Sequence, residues 1–350
     1  MHRKFVSILR MELELQPEGA VAILSGEKEE QKEGGQLLKL MRAKIVEGRN
    51  LKEVTVLPGS SLKGVVRSHC ERIARSLGLW CCNPFNTDIS ETQQQRQEDL
   101  ANPEKFCGRK IEKAEELSGA ERYHSYSCRI CRLFGSTGIG SHFFLSDALP
   151  RQGSSVSTAQ RPHVAIDRAL GSVAGGALWY EEVVETGRFL ATLELRNFEL
   201  WQLGLIALAL RDLKEGRIRM GHSKSRGYGR VKLTVNNAEL RYYGFSLAPG
   251  ALPNLERIAF ARQWPLKTAE NLWRLYGIGA LLNDEERLPY GYRQDDSVDI
   301  PLAGDSGLQP RSEWPLVCIP FSNYERQLLP FLEQCVTQKL SAAVREDTRR

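Results

Sequence analysis

Two cysteines three residues apart, Cys128 and Cys131, frame a Cys-Arg-Ile-Cys knuckle whose thiolates can grip one metal ion. A structural zinc takes four ligands in a tetrahedron, so two more are needed. Cys107 lies upstream, and one of Cys81 or Cys82 completes the set. Cys82 precedes Asn-Pro, a turn context, and is the preferred choice. His69, Cys70 and His124 are alternatives for the remaining position. The bland reading is a set of buried, idle thiols. Against it, these cysteines share residues 80–131, a polar, Gln-rich insertion too long for a loop in a compact domain unless something organises it. A structural Zn2+ would do so. Eight Cys in 350 residues are too sparse for a disulfide scaffold. A thioredoxin-like redox pair is disfavoured, because the knuckle leads into Arg-Leu-Phe-Gly and not a clear active-site helix.

Two further segments carry phosphate chemistry. Residues 57–68 read LPGSSLKGVVRS. Gly59 and Gly64 let a ligand approach the backbone, and a helix starting here presents unpaired N–H groups and a positive dipole end. Lys63 and Arg67, four residues apart, share a helix face, which makes a credible phosphate cradle. It is not a Walker A loop, since Gly64 is followed by Val65. On spacing alone, a capped helix with a solvated basic face is the simpler reading. Residues 221–230 read GHSKSRGYGR, and from Lys214 to Lys232 there are seven Lys or Arg against one Glu. A basic loop with Gly221, Gly227 and Gly229 suits a phosphodiester backbone, whose contacts carry affinity without sequence choice. A fourth segment, RPHVAIDRALGSVAGGALWYEEVV over 161–184, places Asp167 and Arg168 before a glycine-rich stretch. Alone it reads as a hairpin with a solvated ion pair.

The elements that must position these groups are legible from periodicity. Phe5 to Leu15 alternates like a half-buried strand, and Ala20 to Leu24 is a second apolar stretch that continues or pairs with it. GEKEEQKEGG reads as a charged loop, and Glu53 to Leu57 as a strand before a Pro-Gly-Ser-Ser turn. Leu62 to Leu77 is a helix capped by Ser60 or Ser61. Strands are expected over Ser141 to Ala148, Leu178 to Val184 and Arg188 to Asn197, with a polar loop over 150–160. A helix over Glu199 to Lys214 precedes closing strands at Tyr228 to Val235 and Ala238 to Phe245. After Ser246 the pattern admits helices over Ala269 to Leu282 and Tyr324 to Val344, the latter broken or kinked at Pro330, with mostly loop over 283–315. The order strand, helix, strands, helix, strand predicts an α+β fold with a ferredoxin-like or RRM-like core. Apolar content of 41% and charged content of 26% exclude wholesale disorder. No apolar run is long enough to span a membrane, and the N-terminus lacks a signal-peptide pattern, so the chain is expected in the cytoplasm. The net charge of +5 leans mildly toward polyanions.

Taken together and in this order, LPGSSLKGVVRSHCERIAR, the CxxCRLFGS of Cys128 to Ser136, the 161–184 segment and GHSKSRGYGRV resemble the RAMP (repeat-associated mysterious protein) superfamily of CRISPR–Cas. Within it they look like the zinc-containing backbone subunits of type III effector complexes. The resemblance covers roughly residues 5 to 240. Nothing in it matches the chain after Ser246, which suggests a III-D-like variant. The resemblance implies an RRM-like palm in residues 1–245, a zinc-binding insertion at 80–131, a thumb hairpin at about 150–185 and an extension at 246–350. Such subunits stack along a CRISPR RNA, bind its phosphates and hold the guide–target duplex, with complementary target RNA and other type III subunits as partners. Carried over, Ser60, Ser61, Lys63, Arg67, Lys224, Ser225 and Arg226 would contact the guide backbone, and Arg161 and Arg168 would lie in or beside the thumb. Because guide sequence is read by base pairing, such a protein needs only backbone contacts and shape.

One departure bears on activity. Cleaving members carry an Asp in the loop after the first strands, and residues 1–87 of this chain contain none. The equivalent loop offers Glu27, Glu29, Glu30 and Glu33. The leading reading is therefore a guide-RNA-binding subunit; the alternative is a target-RNA endonuclease dependent on Mg2+. A CRISPR-RNA processing nuclease would use a His as general acid or base, and His222 lies in the glycine-rich loop, but the CxxCRLFG motif argues against it.

Overall fold

The computed structural model describes residues 5–31, 35–114, 117–243, 267–269, 271–302, 307–313 and 316–347. Glu33 and the junction at 244–266 lie outside them. The protein is a mixed α+β structure with mostly antiparallel sheets.

Strand β1 (Ser7–Pro17) runs through the middle of the main sheet. Its alternation decides its orientation: Leu9, Met11, Leu13 and Leu15 are buried, whereas Arg10, Glu12 and Gln16 are exposed. Each such apolar side chain contributes about 1.5–3 kcal/mol on burial. The hairpin of β2 (Leu24–Glu30) and β3 (Gln36–Leu40) follows, so the charged segment expected as a loop is strand as far as Glu30. Residues 20–24 do not pair with β1; Val21 bridges Val184. A second hairpin, β4 (Arg42–Glu47) and β5 (Asn50–Thr55), leads to helix α1 (Gly59–Ser76).

The insertion is helical in short pieces: α2 (Gln93–Ala101), α3 (Cys107–Lys113), α4 (Gly119–His124) and α5 (Arg129–Phe134). Then come β6 (Phe143–Leu145), β7 (Leu149–Pro150), the long hairpin of β8 (Ser157–Ile166) and β9 (Val173–Thr186), β10 (Phe189–Arg196) and helix α6 (Leu200–Lys214). The expected strand at 141–148 is thus only three residues long, and the expected loop at 150–160 already contains the start of β8. β11 (Val231–Tyr243) is one strand and not two; Asn236 bulges out of its ladder, where the register against Glu12 and Leu13 shifts.

In the main sheet β11 and β10 flank β1, and β6 pairs with the far side of β10, all antiparallel. β9 and β10 meet at Gly187 but enter different sheets: β9 pairs with β8 and, in parallel, with β3. Beyond the junction lie β12 (Lys267–Ala269), β13 (Leu272–Tyr276), β14 (Ser297–Pro301), β15 (Arg311–Glu313) and β16 (Leu316–Phe321). Where a helix is expected over Ala269 to Leu282, only Ile278–Leu281 is helical. β16 pairs with β11 and so extends the main sheet.

Helix α6 is buried almost all round, from Leu200 to Leu213. A helix apolar on every side needs partners on every side. Here they include α1 and the C-terminal helical run over 324–347. Gly204 permits the contact: a Cβ there would lie 2.7 Å from the carbonyl oxygen of Cys335. Pro330 does not break that run. It sits in the first turn of Leu329–Gln334, directly after a wider π-type turn, Tyr324–Leu328, which relieves the missing N–H and the ring clash.

Candidate metal centre and nucleic-acid interface

Cys82, Cys107, Cys128 and Cys131 are all buried, and their sulfurs lie within 4.8 Å of one another. Cys82 Sγ is 3.7 Å from both Cys131 Sγ and Cys128 Sγ. A tetrahedral ion with metal–sulfur bonds of about 2.3 Å requires sulfur–sulfur edges of about 3.8 Å. Donor chemistry and spacing therefore both fit a metal ion such as zinc. Of the alternative ligands, His69 and Cys70 are engaged elsewhere, His124 lies apart, and Cys81, beside Cys128, is outside the four-sulfur group. Cys81 is partly exposed and directs its thiol to the Cys82 carbonyl. His69 Nε2 lies 2.8 Å from Asp212 Oδ2, Cys70 donates to the Leu205 carbonyl, and His124 lines a separate cavity beside Arg129 and Arg293.

Local structure builds the cage. Cys128 is the N-cap of α5, its sulfur accepting the Cys131 N–H, so the knuckle is the first turn of a helix. The Cys128 N–H in turn donates to Cys107 Sγ at 3.2 Å, at the start of α3. Short backbone links align the segments: Arg129 N–H to the Trp80 carbonyl, Asn83 N–H to Glu104, and Phe106 N–H to Asn86.

Helix α1 begins at Gly59, one to two residues before the expected caps, and neither Ser60 nor Ser61 caps it. Instead Asp147 accepts the Gly59 N–H at 2.7 Å. Gly59 packs closely, since a Cβ would sit 2.4 Å from the Leu145 carbonyl oxygen. The basic pair on α1 is half-buried and hydrogen-bonded within the chain. Lys63 Nζ donates to Ser141 Oγ and the Phe143 carbonyl, and Arg67 donates to Glu71, the Gly135 carbonyl and Cys131 Sγ. The open face of α1 is the next one round, with Ser61, Gly64, Ser68 and Arg72 at helical spacing.

That face and the glycine-rich loop enclose a cleft of about 430 Å³, completed by Ile23, Leu24, Arg219, Gly221, His222 and Lys224. Three cationic side chains and a histidine line it, and no carboxylate does. Ser61 and Lys224 thus come together, Ser60 and Lys63 line a different groove on the sheet side, and Ser225 is exposed. Arg72 and Arg219 were missed, although Arg72 follows Ser61, Gly64 and Ser68 on one helical stripe. Gly221 holds the loop against the chain, with φ +80° and space for no Cβ beside the Ala22 carbonyl.

Beneath the loop lies Glu181 of β9, wholly buried. Its carboxylate accepts from Ser223 Oγ at 2.8 Å, Arg226 at 3.0 Å and Trp179 Nε1 at 3.3 Å, with His163 and His222 at 3.4 and 3.3 Å. Burial pushes this carboxyl up, but the hydrogen bonds of Ser223 and Trp179 and the charges of Arg226 and His163 outweigh it and hold it below the usual range. Arg226 is therefore a strut between the loop and the β8–β9 hairpin. Arg161 pairs with Glu185 and lies over Tyr228. Arg168 is exposed at the hairpin turn, and Asp167 accepts the N–H groups of Ala169 and Leu170 rather than pairing with it.

Glu27, Glu29 and Glu30 lie exposed along β2, where Glu29 pairs with Lys39. Glu27 and Glu29, two residues apart, share one face of the strand, and Glu30 points to the other. Among the described residues, the four cysteines are the one group with metal-binding geometry. No helix among the described residues is long and apolar enough to cross a membrane.

The family model described as the RAMP superfamily matches residues 44–232, more than half of the chain. No curated protein matches the sequence. Among solved structures, a chain titled "Type IV-B CRISPR Complex" is similar with a TM-score of 0.37 and 13% identity, over 70% of this chain and 94% of that one.

Proposed function

The chain belongs to the RAMP superfamily, and from that premise we propose that it is a CRISPR RNA-binding backbone subunit of a type III CRISPR–Cas ribonucleoprotein in the cytoplasm. The observation that carries the reading is the carboxylate-free basic cleft between α1 and the glycine-rich loop. Arg72, Arg219 and Lys224 supply charge there, Ser61 and Ser68 supply hydroxyl donors, and Gly64 leaves open space for a backbone to approach. Ser60 and Ser225 would add contacts at its margins. Lys63, Arg67 and Arg226 would act by holding the walls, because their head groups are engaged within the chain.

The strand order β11-β1-β10-β6, with α1 and α6 as the crossovers, supports an RRM-like palm over residues 1–245. On this reading residues 246–350 are an extension that adds β16 to the palm, and the β8–β9 hairpin is the thumb, carrying Arg161 on its stem and Arg168 at its turn. Cys82, Cys107, Cys128 and Cys131 would hold Zn2+, which supplies folding energy to the insertion and takes no part in chemistry. The partners would be CRISPR RNA, complementary target RNA and other effector subunits. With no Asp in residues 1–87, the subunit is read as binding target without cutting it.

The test is purification of the chain with its neighbouring subunits. A stoichiometric RNA of uniform length supports the reading. RNA-free subunits that also fail to bind added guide RNA would overturn it.

A further inference from the structure

Resting on the zinc reading of the four-cysteine centre, we propose that half-buried Arg67 and buried Lys110 are its charge-balancing pair, which suits the site to a divalent ion and commits Arg67 to metal rather than to RNA. Four thiolates around a divalent ion leave two negative charges. Burying net charge in protein is costly unless opposite charge lies beside it. Cys107, Cys128 and Cys131 have no exposed surface, and Cys82 has 4%. Water therefore cannot balance the centre.

Two cations face it from two different helices. Arg67, on α1, places NH2 3.9 Å from Cys131 Sγ, and its NH1 is fixed by the Gly135 carbonyl at the end of α5. Lys110, one turn after Cys107 on α3, is 2% exposed, a rare state for a lysine. Its ammonium donates to the Asn102 carbonyl at 3.0 Å, faces the Trp80 ring at 5.3 Å, and stands in the field of Cys107, Cys82 and Cys128. Among the described residues, no carboxylate pairs with it. Glu71 also faces Arg67, at 3.1 Å, and exposed Arg75, which donates to the Cys82 carbonyl, offsets the charge of Glu71 in the count around the centre.

The experiment uses the full-length chain, with bound zinc counted by elemental analysis and its release to a chelator followed in time. Arg67→Met and Lys110→Met keep the apolar stems and remove the charges. Each is expected to weaken zinc affinity about 10- to 100-fold, the usual effect of removing an outer-shell partner, and to speed release. Arg67→Lys and Lys110→Arg keep the charge and are expected to retain zinc better than the Met variants. Glu71→Gln frees Arg67 from its ion pair and is expected to hold zinc at least as tightly as the parent. Unchanged affinity and release in both Met variants of a zinc-loaded protein would overturn the proposal and leave the zinc reading standing. If the Met variants fold poorly, the charge-keeping variants decide: zinc lost from them as fully as from the Met variants would sink charge balance as the cause. A parent chain that binds no zinc, even on titration, overturns both.

Discussion

Asp347 and Arg129 form a buried pair, with Arg129 NH2 2.8 Å from Asp347 Oδ1 and Nε 3.1 Å from Oδ2. The same carboxylate accepts the Trp80 N–H at 2.9 Å. One residue near the end of the C-terminal helix thus ties together the two segments that carry Cys82 and the Cys128–Cys131 knuckle. Asp347→Ala leaves Arg129 with Glu346 alone, 3.1 Å from its NH2, so the expected cost is below the about 3–5 kcal/mol of a wholly unpaired buried guanidinium. Burial pushes the Asp347 carboxyl up, but the hydrogen bond and charge of Arg129 hold it below the usual range. This contribution is fully present above an unfolded-state pKa of about 4 and is lost as pH falls through the lower folded value. Urea unfolding between pH 5 and 3 should therefore show a steeper loss in the parent than in Asp347→Asn. Equal slopes would mean that the pair does not form.

The cysteines separate sharply by position. Cys82→Ser and Cys107→Ser should lose bound metal and lower the melting temperature, and chelation should do the same to the parent. Cys81→Ser, one residue away, should keep a full equivalent of metal. Metal content measured across the three variants decides this, and loss from Cys81→Ser would put the wrong thiol in the cage.

RNA affinity should fall with salt according to the number of phosphates held. Replacing Arg72, Arg219 and Lys224 by Gln should lower the log–log salt slope by about 0.7 for each lost single-strand contact. Lys63→Met, whose ammonium is engaged inside the chain, should leave the slope unchanged. A slope that falls only on replacing Lys63 would put the RNA along the sheet-side groove.

Asp296 supplies a pH dependence of opposite sign. Burial, with the nearby charge of Glu199, pushes its carboxyl up to about 7, while the N–H groups of Leu200 and Gly279 bond its oxygens. The folded state holds this proton where the unfolded chain, with a pKa of about 4, releases it. Stability from this group is complete below pH 4 and drains away as pH rises toward 7, by at most about 1.4 kcal/mol per unit. Asp296→Asn should flatten the slope of unfolding free energy between pH 5 and 7. An undiminished slope in the variant would rule Asp296 out as its source.

Cleavage is the remaining question for the acidic strand. In a reconstituted complex with labelled target RNA and Mg2+, the parent should hold the target without a cut opposite this subunit. The variant with Glu27, Glu29, Glu30 and Glu33 all changed to Ala should behave alike. A cut in the parent that vanishes in the variant, with target binding intact, would make the subunit an endonuclease.

Much of this molecule is written locally. The alternation of β1, the helical periods of α1 and α6, and the Cys-x-x-Cys spacing are short-range patterns, so residues near in sequence determine them. The glycines at 221, 227 and 229 all adopt the left-handed φ that their loop position suggests. Contacts between distant residues decided the rest. Helical spacing puts Lys63 and Arg67 on one face and Ser61, Ser68 and Arg72 on another, but cannot say which face meets solvent. Ser141, Phe143 and Cys131 settle that by packing on the first, more than sixty residues along the chain in each case. Helix α6 is buried on nearly every side, and only the folded chain identifies the C-terminal helix as one of its partners. A strand rich in Glu reads as a loop until β3 supplies its ladder, because a strand needs a neighbour to satisfy its backbone, and sequence order does not say which neighbour it will find.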